Sequence, residues 1–192
     1  MEAVLTSTLV VSLAEIGDKT MLLAIVLATR FRKPLPIILG ILVATLANHG
    51  IAAFLGQSIA GILSGQWFRY AVGISFIAMA LWTLVPDKFD EDDESKPSRY
   101  GAFLTTTFAF FLVEIGDKTQ IATIALGAQF QSVMAVTIGT TLGMMLANVP
   151  AVYLGGAMVE RVSLKLVRIV AATLFLLIGV WVLGQAAGPK LI

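Results

Sequence analysis

Six long apolar stretches, separated by short polar ones, make up most of the chain. They run at about 4–29, 35–58, 68–86, 100–126, 133–157 and 167–186. Each is long enough for a membrane-crossing helix, which needs about 20 largely apolar residues. The predicted fold class is therefore an all-α integral membrane protein with six transmembrane helices. The connections are short: "RFRKP" at 30–34, "SGQW" at 64–67, "AQFQS" at 128–132 and "ERVSLK" at 160–165. The one extended polar segment, "PDKFDEDDESKPSRY" at 86–100, reads as a solvated linker.

The pattern restarts after that linker. "EIGDKT" at 15–20 recurs at 114–119, an offset of 99. At the same offset Arg69 matches Arg168, Phe76 matches Phe175 and Trp82 matches Trp181. "LAN" at 46–48 recurs at 146–148 with one residue gained. The chain thus reads as a tandem duplication: a first three-helix repeat over 1–86, an acidic linker over 87–99, and a second repeat over 100–192. An odd number of spans per copy turns the second copy over in the membrane, which gives an inverted-topology repeat.

Lysine and arginine set the orientation. Arg30, Arg32, Lys33, Lys88, Lys96, Arg99, Arg161, Lys165 and Arg168 fall on one side, Arg69 and Lys190 on the other. The first side is expected to be cytoplasmic, with both termini outside. Composition fits a membrane protein: of 192 residues 58% are hydrophobic and 13% charged, against about 25% charged in soluble domains. The net charge of +1 argues against a nucleic-acid partner. The absence of cysteine excludes thiolate metal sites, disulfides and cysteine nucleophiles. "MEAVLTS" has no basic n-region, so the first span is expected to be retained.

Against this background Glu15, Asp18 and Lys19, repeated as Glu114, Asp117 and Lys118, are out of place. A charge at the centre of a span costs about 2.5–3.5 kcal/mol. If the helix is continuous, Glu15 and Asp18 share a face and Lys19 lies beside Glu15. Gly17 and Gly116 allow either close helix approach or a local break. Pseudo-two-fold symmetry would bring four carboxylates together at the midplane, with Lys19 and Lys118 compensating half of their charge. The remaining deficit of two matches one divalent cation or two protons. Glu15, Asp18, Glu114 and Asp117 are the candidate metal ligands; Thr20, Thr119 and Gln120 are secondary ones. An all-oxygen set suits Mg2+, Ca2+ or Mn2+.

Asn48 and Asn148 lie mid-span and either complete the ion site or make interhelical hydrogen bonds. Gly50 and Pro150 follow two residues later, and Pro150 leaves the carbonyl of Leu146 without its helical donor. Gly40/Ala44 and Gly139/Gly143 have the spacing of tight helix contacts. His49 has no repeat partner and reads as a packing or pore-facing residue rather than a metal ligand. The run Asp90–Glu94 reads as part of the solvated linker. Trp67, Trp82 and Trp181 sit near span ends, where interfacial aromatics belong.

Two E-x-G-D-[KR]-[ST] motifs in a six-span inverted duplication resemble the Gdt family of cation exchangers, which includes Golgi manganese/calcium–proton exchangers, chloroplast manganese transporters and bacterial manganese exporters of the MneA type. The likeness covers essentially the whole chain. It implies a secondary transporter of Mn2+ or Ca2+ working against protons, with the motif acids as ligands, no cofactor and no enzymatic activity. By analogy with bacterial members, the cargo expected first is Mn2+, exported across the cytoplasmic (inner) membrane; a Ca2+/H+ exchanger and a passive divalent channel are the alternatives. Homo-oligomerisation is left open. An intramembrane aspartyl protease using Asp18 and Asp117 is disfavoured, because such enzymes carry glycine where this chain has glutamate.

Overall fold

A computed structural model of the chain describes residues 1–62, 65–85, 101–155 and 163–187. The linker at 87–99, with Asp90–Glu94, lies outside the described residues. Within them there are eight helices and no strand: α1 (Glu2–Glu15), α2 (Lys19–Phe31), α3 (Pro34–Ile62), α4 (Gln66–Thr83), α5 (Ala102–Glu114), α6 (Lys118–Phe130), α7 (Val133–Leu154) and α8 (Leu164–Ala187).

The first and fourth predicted spans are not continuous helices. Each is two helices of 13 or 14 residues, parted at the motif. Fourteen residues rise only about 21 Å, short of a hydrocarbon core of about 30 Å. The cause is local. Ile16 has φ −65° and ψ 115°, Gly17 has φ +83°, and the Asp18 N–H donates to the Glu15 carbonyl at 3.0 Å. Ile115 (φ −64°, ψ 118°), Gly116 (φ +79°) and an Asp117-to-Glu114 bond of 3.1 Å repeat this. Such a type II turn needs a positive φ at its third position, which glycine supplies without strain. Asp18 and Asp117 then cap the next helix: Asp18 accepts from the Lys19 N–H at 2.7 Å, and Asp117 from the Thr119 N–H at 3.3 Å.

Three helices are long and apolar enough to cross a membrane: Pro34–Ile62, Val133–Leu154 and Lys165–Ala187. α7 packs along α1 and α2, and α3 packs along α5 and α6, so each broken segment lies against the long helix of the other repeat. α4 packs on α8, with the repeat-related rings of Phe76 and Phe175 6.4 Å apart. Glycines bring these helices close. A Cβ on Gly139 would meet the Val4 carbonyl oxygen at 2.6 Å and Ser7 Cβ at 2.8 Å. A Cβ on Gly40 would meet Thr106 Cβ at 2.8 Å and the Phe103 carbonyl oxygen at 2.9 Å. Gly40 and Gly139, like Ser7 and Thr106, are 99 residues apart, so the tight contact is duplicated along with the sequence.

The distribution of polarity is inverted relative to a soluble protein. Leu5, Ile51, Phe54, Leu81, Phe108 and Leu177 are exposed, whereas Glu15, Asp18, Asn48, His49, Glu114, Asp117 and Lys118 are buried. An apolar exterior around a polar centre suits a bilayer rather than water.

Candidate cation site

The two turns place the motif residues differently from a continuous helix. Glu15 ends α1 and Asp18 begins α2, so they do not share a helical face, and Lys19 does not pair with Glu15. The lysines instead reach across the repeats. Lys19 Nζ lies 2.8 Å from Asp117 Oδ1, and Lys118 Nζ lies 3.7 Å from Asp18 Oδ2. The reason is geometric: after the turn, each lysine opens a new helix whose direction is no longer set by the helix that carries the glutamate.

All four acids are at most 2% exposed. The two cross-repeat ion pairs bring the turn at Asp18 and the turn at Asp117 against each other. No three His, Asp or Glu side chains among the described residues are yet gathered around a single metal position.

The glutamates differ in their partners. Glu15 Oε1 accepts from Asn148 Nδ2 at 3.4 Å. Glu114 Oε2 accepts from Thr119 Oγ1 at 3.0 Å, and that hydroxyl also lies 3.3 Å from Asp117 Oδ2. Glu15 Oε2 and Glu114 Oε1 are buried and accept no hydrogen bond among the described residues. Asn148 Oδ1 and Thr20 Oγ1 are in the same condition. Most buried polar groups are hydrogen-bonded, so these four bare oxygens, two of them on the motif glutamates, depart from the usual pattern.

The secondary candidates divide. Asn148 meets Glu15, while its amide also donates to the Met144 carbonyl at 3.0 Å. Asn48 makes an interhelical bond, donating to the Phe111 carbonyl at 3.0 Å. Gln120 Oε1 is occupied by the Gly116 N–H at 2.8 Å, and Gln120 Nε2 reaches Asn48 Oδ1 at 3.5 Å. Its repeat counterpart is Met21, whose sulfur takes the Gly17 N–H at 3.4 Å. Both residues therefore cap the turn. His49, which reads from the sequence as a packing or pore-facing residue rather than a metal ligand, places its Nε2 3.6 Å from Glu114 Oε2.

The sequence profile of the divalent cation/proton antiporter GDT1 matches the chain twice, over residues 3–91 and 102–190. The chain belongs to the GDT1 family. The two matches are themselves 99 residues apart, the offset of the internal repeat. A Vibrio cholerae protein named "Putative manganese exporter" is 51% identical over 178 residues, 92% of this chain and 88% of that one. GDT1-like protein 5 of Arabidopsis thaliana is 29% identical over 205 residues, covering 88% and 89% of the two chains. A GDT1-like protein of Synechocystis is 29% identical over 192 residues, covering 90% and 92%. No solved structure matches. As a GDT1 family member the chain is a transporter of divalent cations and not an enzyme.

Proposed function

We propose that this GDT1 family member exports Mn2+ from the cytoplasm in exchange for protons, through a site shared by the two EIGDKT turns. The observation that carries the reading is the pair of buried oxygens without hydrogen-bond donors, Glu15 Oε2 and Glu114 Oε1. The lysine pairs supply the charge arithmetic. Lys19 answers Asp117 and Lys118 answers Asp18, which leaves the two glutamates as the unmatched charge. One divalent cation or two protons balance two carboxylates, and alternation between these loads is an exchange cycle. Glu15, Asp18, Glu114 and Asp117 are the proposed ligands, with Thr20, Thr119 and Asn148 completing the shell.

The topology that serves this cycle has six spans. The broken helices count as two of them, and the second repeat is inverted relative to the first. The linker at 87–99 is cytoplasmic, both termini are outside, and the membrane is a bacterial inner membrane. The packing of each broken segment on the long helix of the other repeat supports this arrangement, and rocking of one repeat against the other would expose the site to each side in turn. The manganese named for the Vibrio cholerae relative supports Mn2+ as cargo.

Proteoliposomes test the reading. An imposed pH gradient should drive Mn2+ uphill. Flux that runs only downhill would make the protein a channel, and uphill Ca2+ movement without Mn2+ would make it a Ca2+/H+ exchanger.

A further inference from the structure

We infer that His49 is a ligand of the transported cation, sharing it with Glu114, and that its nitrogen sets the preference for Mn2+ over Ca2+ and Mg2+. This inference rests on the exporter reading above and adds a donor that the motif does not contain.

His49 is 0% exposed, and neither ring nitrogen has a hydrogen-bond partner among the described residues. A packing histidine normally satisfies its N–H, since leaving a buried polar group unpaired costs about 1–3 kcal/mol. His49 does not, and Glu114 is the acid its ring approaches. Its Nε2 stands 3.6 Å from Glu114 Oε2, beyond hydrogen-bond length. Two donors at right angles around a cation at about 2.0–2.6 Å are separated by about 2.8–3.7 Å. The observed gap falls within the edge of such a coordination sphere.

The position is held firmly. Asn48, the preceding residue on α3, is tied to the Phe111 carbonyl of α5 and to Gln120 of α6. Those bonds aim this stretch of α3 at the α5–α6 break, where Glu114 sits. In the second copy the residue after the matching asparagine is Val149, so the site gains a nitrogen from one repeat only.

The chemistry follows from donor type. Ca2+ and Mg2+ are held by oxygen, whereas a neutral imidazole binds transition metals. Carboxylates with one imidazole accept Mn2+ and penalise Ca2+ and Mg2+. The same set does not discriminate against Fe2+ or Zn2+, which bind nitrogen more strongly than Mn2+ does.

The chain has a single histidine, which makes the test direct. Protein purified on a histidine-free tag is loaded with Mn2+ and studied by pulsed electron paramagnetic resonance. The expected result is an imidazole 14N coupling to the bound Mn2+ in the wild-type protein. In H49Q that coupling should vanish, Mn2+ should bind at least about tenfold more weakly, as loss of even an outer-shell partner can cause, and the Mn2+-over-Ca2+ preference should fall by a similar factor. Wild-type protein that binds Mn2+, loses it in E114Q and shows no 14N coupling overturns the inference while leaving the exporter reading intact. Wild-type protein that neither binds nor moves Mn2+ overturns the exporter reading, and the inference falls with it. If H49Q does not fold, the wild-type spectrum decides alone, because no other imidazole exists in the chain.

Discussion

Removing Lys118 should cost more stability than removing Lys19, although the Lys118 pair is the longer one. By distance alone Lys19–Asp117, at 2.8 Å, outranks Lys118–Asp18, at 3.7 Å. Burial reverses the order. The Lys19 side chain is 28% exposed, so water can partly replace it at Asp117. The Lys118 and Asp18 side chains are 4% and 1% exposed, so water has little access to replace Lys118. Lys118→Gln removes a buried cation from beside the Asp18 carboxylate, and breaking a buried pair this way costs about 3–5 kcal/mol. Lys19→Gln should cost about 1–2 kcal/mol, between the exposed and buried limits. Asp18→Asn is the partner variant of choice because asparagine also caps helices, so it removes the charge while keeping the bond to the Lys19 N–H. Denaturant titration followed by tryptophan fluorescence on Lys118→Gln, Asp18→Asn and the double variant gives the coupling energy, and the double variant should recover at least about 2 kcal/mol of the loss. A coupling near zero, or a Lys19→Gln loss larger than that of Lys118→Gln, would refute the claim that burial ranks these pairs.

Other outcomes follow from the same geometry. Thr119→Val strips a hydroxyl shared by Glu114 and Asp117 and should cost about 1–3 kcal/mol, whereas Thr20→Val, whose hydroxyl has no hydrogen-bond partner among the described residues, should be near neutral in the same unfolding assay. Glu15→Gln and Glu114→Gln should each abolish Mn2+ flux in proteoliposomes while leaving the thermal transition in place; normal flux from either would exclude a shared site. Gly116→Ala has open space but a φ of +79°, so backbone strain alone should cost about 1–3 kcal/mol. Gly139→Ala should cost a similar amount by overpacking against Val4 and Ser7, while Gly50→Ala, whose nearest neighbour would be 3.9 Å away, should be neutral or stabilising. Denaturant midpoints for the three glycine variants check both mechanisms.

Much of this protein is legible in one dimension. Apolar run lengths are set by the thickness of a bilayer, so the all-helical character and the long α3, α7 and α8 could be read from the sequence. The 99-residue offset exposed the duplication, and the paired contacts Gly40–Thr106 and Gly139–Ser7 keep glycine in both copies against a small hydroxyl residue. The cost of burying charge singled out Glu15, Asp18, Glu114 and Asp117 as the place to look.

Partner choice was not legible. Helical periodicity assigned Lys19 to Glu15, and the prediction failed because α1 ends at Glu15, Ile16 is extended and Gly17 takes a positive φ. Glycine tolerates both helix and turn at modest cost, so its identity left the break open; the observed backbone is the turn, with φ +83° at Gly17 and +79° at Gly116. Once the helices part, direction replaces spacing, and the lysines meet aspartates 98 and 100 residues away. The same holds for His49. Nothing in a chain with one unrepeated histidine says which acid it faces; α3 laid across the α5–α6 break does. Composition and periodicity report which groups must be buried, because that cost is local. Which buried groups touch depends on the relative placement of distant helices, and only the tertiary structure carries that.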